Sequence, residues 1–136
     1  MSLFRGLAIL FPPSLLVAFL LAAGTANAAE GGGKDILHAK LEPIVVNLLG
    51  PTRQYIQVEM VLKLAKPEIG ERIKLYMPVI RHKMILLLSS KNVQQLGPSE
   101  GKQKLVQESK SAVNQALELT EKEGVTDVLF DSLIIQ

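Results

Sequence analysis

The chain has 136 residues, with 15 Lys and Arg against 13 Asp and Glu, two His and no Cys. That length suits one domain of about 100–150 residues, and a formal charge of +2 is too weak a field to mark nucleic acid as a partner. The absence of cysteine excludes disulfides, thiol catalysis and cysteine-based zinc sites.

At the amino end a single Arg5 precedes an uncharged run, Gly6–Ala23, interrupted by Pro12 and Pro13. The run is shorter than the roughly 20 apolar residues a bilayer-spanning helix needs, and the proline pair removes backbone donors within it. From Ser14 the apolar core is about ten residues, within the ~7–15 of a secretory leader. The small-x-small triplet Ala26-Asn27-Ala28 follows it, which predicts cleavage between Ala28 and Ala29. The same hydropathy also fits an uncleaved signal anchor over residues 1–28. In both readings the positive end stays inside and the remainder is exported to the periplasmic side of the inner membrane. Residues 29–35, with Gly31, Gly32 and Gly33, read as a flexible spacer, and the folded domain is expected over 36–136.

The first structured block reads as a long hairpin. Ile56, Val58, Met60, Leu62 and Leu64 alternate with Gln57, Glu59, Val61 and Lys63, giving one core face and one wetter face. Gly50-Pro51-Thr52 is the expected turn. Pro43 cannot donate to a ladder, so it predicts an edge strand or a bulge.

Pro67 ends the hairpin and leads into a helix with Glu68 and Glu71 in its first turn, where the dipole favours anions. Ile69, Ile73, Tyr76, Ile80, Met84 and Leu87 fall on one helical face. Pro78 in its middle predicts a kink or two helices meeting, and Glu68 and Arg72 form an i,i+4 pair. Lys74, Arg81 and Lys83 suit the carboxyl half.

The stretch from Ser89 to Lys102 reads as a polar connection, with Ser99 as N-cap of the next helix. That helix is expected to run to about Leu119, with Leu105, Ala112, Val113, Ala116 and Leu117 inward. The final stretch from Val125 to Gln136 is β-branched and aromatic enough for a strand. Its apolar residues on both faces place it in the middle of the sheet, between the hairpin strands or beside one of them. The expected class is α+β: a hairpin and a C-terminal strand in one small sheet, with two helices on one face.

Chemistry-bearing patterns are sparse. His38 and His82 lie in different elements, short of the converging ligands a metal site needs. Asp127 and Asp131, four apart on a strand, sit about 13 Å apart, too far for a catalytic carboxylate pair. No serine or threonine has a partner base in the sequence, and no glycine-rich loop follows a strand. The residues point to a non-enzymatic protein without cofactor or metal, and Arg81, His82 and Lys83 form its candidate interaction cluster.

From about Leu41 onward the chain resembles the FliL family of flagellar basal-body-associated proteins. The resemblance rests on PIVVNL with Asn47, RQYIQVEMVLKL with Tyr55, and PVIRHKMILLLSSK with Pro78. It continues through EGKQKL with Gly101, Asn114 later in that helix, and VTDVLFDSLIIQ with Phe130 and Gln136. Family members usually carry Asp after the Arg of the IR pair, where this chain has His82. The resemblance implies a stomatin- and prohibitin-like domain, ring-forming self-association, stator units and the basal body as partners, and a role in motility. A free periplasmic scaffold of the same fold, or a small ligand-binding protein or hydrolase with a polar pocket at His38 or His82, are the readings it competes with.

Overall fold

The computed structural model describes residues 37–136. The leader, the Ala28–Ala29 cleavage position and the spacer lie outside the described residues. Within them the elements run β1 (His38–Lys40), β2 (Ile44–Asn47), β3 (Tyr55–Leu64), α1 (Ile69–Ser89), α2 (Val93–Leu96), α3 (Ser99–Leu117) and β4 (Val125–Ile135).

The period-two pattern of β3 does what its spacing dictates. Ile56, Val58, Met60 and Leu62 are wholly buried and Leu64 nearly so, while Glu59, Val61 and Lys63 look the other way. Each such aliphatic side chain contributes about 1.5–3 kcal/mol of burial. β3 is also the centre of the four-stranded sheet: β1 and β2 pair along one of its edges and β4 along the other, all antiparallel.

The first strand of the expected hairpin is split in two around Leu41–Pro43. Lys40 pairs with Val61 and Ile44 with Val58, so one strand advances a residue more than its partner. Pro43 therefore marks an edge and a bulge together, and Leu41 still donates its N–H to Met60 at 3.0 Å across the break. At the turn Gly50 has φ 153°, a backbone conformation open to glycine and strained for residues with a Cβ.

β4 lies beside one hairpin strand, β3, as one of its two expected placements has it, but at an edge of the described sheet and not buried on both faces. Val125 and Val128 enter the core, but Leu129 and Ile134 stay 44% and 42% exposed on the outer face. Apolar residues on both sides of that strand thus reflect an exposed apolar outer face, not burial between two strands.

α1 is one helix through Pro78, not two meeting there. Pro78 is exposed, and the core side is carried by Ile69, Ile73, Ile80, Met84 and Leu88. Tyr76 and Leu87 are half-buried against that core. The expected Glu68–Arg72 side-chain pair does not form. Arg72 instead donates from Nε to the Leu117 carbonyl at 2.9 Å and lies over the Tyr76 ring, 5.2 Å from its centroid. No basic residue reaches the last turn of α1, so the cations of its second half sit too far back to meet the dipole end.

The polar connection contains a further helix, α2. Asn92 accepts from the Gln95 N–H at 2.9 Å, and the Gln95 side chain accepts from the Asn92 N–H at 3.0 Å. This reciprocal capping box lets a single turn bury Leu96. α3 starts at Ser99 with Pro98, not Ser99, in the N-cap position. It ends at Leu117, where Glu118 turns left-handed at φ 58°. Leu105, Val113, Ala116 and Leu117 face the core as expected, joined by Ser109 and Asn114. α1 and α3 cover one face of the sheet, and no described helix covers the other.

Candidate functional site

The segments that carry the family resemblance separate into buried and exposed residues. Asn114 is 3% exposed and grips the start of β4 with both ends of its amide. Nδ2 donates to the Val125 carbonyl at 2.8 Å, and Oδ1 accepts the Val125 N–H at 2.8 Å. The side chain thereby satisfies two buried backbone groups that the sheet leaves open there. A Cβ at Gly124 would lie 2.3 Å from that Oδ1, so the clamp closes only over a glycine. Gly101 is a second close approach: a Cβ there would fall 1.6 Å from the Gln95 carbonyl oxygen, at the α2–α3 junction. Phe130, opposite Met60 in the β3–β4 ladder, is half-buried against the core.

Asn47, Tyr55 and Gln136 form one row across the end of the sheet. Asn47 is the register partner of Tyr55. Tyr55 and Gln136 exchange backbone bonds of 2.8 and 3.0 Å, and the Tyr55 hydroxyl donates to the Gln136 side-chain carbonyl. All three are exposed. The β2–β3 hairpin and the distant carboxyl end thus place polar side chains side by side on an outward-facing end of the domain.

The cluster Arg81, His82 and Lys83 is not a single patch. His82 is exposed, whereas Arg81 and Lys83 are half-buried on either flank of α1, with Arg81 3.6 Å from the Glu42 carboxylate. His82 instead lies within an apolar stripe that charge-based reading missed. Leu75 is 77% exposed and Leu86 57%, with Pro78, Val79 and Ile85 exposed between them. The spacing 75, 79, 82, 86 is itself a helical period. It was hidden because the inward face carries a second, equally regular one.

The remaining candidates have structural uses. The Asp127 carboxylate accepts from the Val128 N–H at 2.9 Å. Asp131 is the extra residue of a bulge between Phe130 and Ser132, and it accepts from Lys40 Nζ at 3.2 Å, with Glu59 at 3.3 Å on the same ammonium. The hydrogen bond that Lys40 donates to Asp131, then that to Glu59, raises the Lys40 pKa above its usual 10.5. Among the described residues no group of three or more His, Cys, Asp or Glu is placed to hold a metal. His38 is exposed on β1, and His82 is exposed in the middle of α1. None of their helices is long and apolar enough to cross a membrane.

The family described as flagellar basal body-associated protein FliL matches residues 39–136. Flagellar protein FliL of Escherichia coli K12 is 30% identical over 97 residues, covering 71% of this chain and 62% of that protein. The Shigella flexneri protein of the same name gives the same figures. Flagellar protein FliL of Aquifex aeolicus is 30% identical over 95 residues, 69% of this chain and 57% of its own length. The chain therefore spans less than two thirds of the length of these relatives.

Proposed function

The chain belongs to the FliL family of flagellar basal body-associated proteins, and from that premise we propose that it is a motility accessory working by association, not turnover. Its partners in this reading are the basal body and the stator units, and copies of its stomatin- and prohibitin-type domain gather into rings beside them. Basal-body association puts it close to the membrane. On the leader pattern it acts at the periplasmic face of the inner membrane, and free in the periplasm when Ala28–Ala29 is cut. Intact-mass analysis of the envelope protein then finds a chain starting at Ala29, and a full-length species confined to membranes would replace cleavage by anchoring.

The observation that carries the reading is the outer stripe of α1, from Leu75 at 77% exposure to Leu86 at 57%. Solvent-exposed apolar residues at a helical period are a contact surface awaiting a partner. Arg72, Lys74, Arg81 and Lys83 flank that stripe, adding salt-screened contacts that set orientation more than affinity. Tethering to a membrane would raise the local concentration enough for a weak interface to assemble.

A clean deletion tests it. Swimming under high viscous load falls while the filament remains. Unaltered motility under load would leave a free periplasmic scaffold of the same fold.

A further inference from the structure

A cleft of about 520 Å³ separates β1 from the first half of α1, and neither its position nor its chemistry is used by the surfaces described above. Its apolar lining is Ala39 from β1, Leu64 from β3, and Ile73 and Met77 from α1, with the Glu71–Lys74 ion pair at its rim. Its volume lies within the ~300–1,000 Å³ typical of ligand clefts. What distinguishes it is the wall formed by β1.

The ladder fixes which backbone groups of β1 are taken. Leu64 donates to the Leu37 carbonyl at 2.8 Å, and Leu41 donates to the Met60 carbonyl at 3.0 Å. Hydrogen-bonded pairs alternate along an antiparallel strand, so residues 37, 39 and 41 point their N–H and C=O at β3. His38 and Lys40 point theirs away from it, along an edge that no other described strand pairs, and over the cleft. These donors and acceptors at strand spacing match an extended backbone, and the apolar lining beneath matches every second side chain of one.

We propose that this edge and cleft bind an extended peptide segment of a partner protein, with apolar residues at alternate positions, as a strand added to β1. The strands of a second copy are poor occupants. A second β1 is only three residues long and brings one apolar side chain, Ala39, which already packs against its own core, so it cannot fill the cleft. The inward side chains of a second β4, Val128, Phe130 and Leu133, are already packed in their own core and cannot fill the cleft. The proposal does not rest on the flagellar reading.

The test uses the full chain in detergent and a fluorescent, acetylated short peptide alternating valine with threonine, followed by anisotropy. The chain binds it saturably, and N-methylation of the peptide at every second residue abolishes binding on the pairing edge. His38→Pro removes one cleft-facing donor without touching the β1–β3 ladder, and weakens binding about fivefold. Met77→Glu places a carboxylate among the apolar side chains and weakens it at least about tenfold. Thr52→Ala, in the exposed turn at the opposite end of β3 from Leu64, leaves affinity unchanged. No binding by the wild-type chain, or equal binding by the N-methylated peptide, would overturn the proposal. So would wild-type affinity in both His38→Pro and Met77→Glu at native circular dichroism. Self-association in sedimentation that His38→Pro alone dissolves would give the edge to a second copy, and would overturn it as well.

Discussion

Two asparagines within the family-like segments, Asn114 and Asn47, have opposite surroundings. Asn114 is sealed between α3 and the start of β4, and its amide is spent on the Val125 backbone. Asn47 is exposed at the sheet end, in register with Tyr55 and one strand from Gln136. Folding needs the first, because a buried N–H and C=O left without partners cost far more than an exposed pair. Folding has little use for the second. A shared sequence pattern therefore mixes residues that hold the domain together with residues left exposed on its surface, and burial separates the two.

That division can be broken most severely at Gly101. Gly101→Ala forces a methyl to within 1.6 Å of the Gln95 carbonyl oxygen, and the α2–α3 junction must open, at more than about 3 kcal/mol. A denaturation midpoint close to wild type would place that junction's closeness outside the stability account. Asn114→Ala orphans the two buried Val125 groups, and urea unfolding should show a loss of about 2–4 kcal/mol. The exposed row should respond much less: Tyr55→Phe removes one solvent-accessible hydroxyl bond and costs under about 1 kcal/mol. If Tyr55→Phe destabilises as much as Asn114→Ala, the row is structural and the division fails.

The smallest effect belongs to the ion triad on the sheet face that no described helix covers. Lys40 has its pKa raised by Asp131 and then Glu59, so its contribution is complete below 10.5 and fades only as pH rises through the raised value. Comparing thermal midpoints of wild type and Lys40→Met should show a slight difference at neutral pH. High salt should erase that difference, because exposed charges are screened. A gap that persists in salt would mean that Lys40 acts by packing.

Much of this architecture is legible in the sequence wherever a period is long enough to count. The alternation from Ile56 to Leu64 names the inner face of β3 residue by residue, and Pro43 foretells the break between β1 and β2. Legibility ends where neighbours distant in sequence decide. β4 carries apolar side chains on both faces, which reads as a strand buried on both sides, yet Leu129 and Ile134 stay exposed on an outer face that no described helix covers. α2 is too short for any period; only the Asn92–Gln95 capping pattern betrays it, and Pro98 rather than Ser99 caps α3. The clamp of Asn114 on Val125 joins residues whose relation exists only in the folded chain. For the contact surface, charge drew attention to Arg81, His82 and Lys83, although Arg81 and Lys83 are partly folded into the flanks of α1 and the exposed ridge is apolar.

The central claim is the proposal that this ridge carries function through association. Its most direct measurement complements the deletion strain with a chain carrying Leu75→Glu and Leu86→Glu, both at strongly exposed positions. The envelope level and circular dichroism of the variant should match wild type, because neither side chain enters the core, while swimming under viscous load drops to that of the deletion. Wild-type swimming by a stably present double variant would contradict the account.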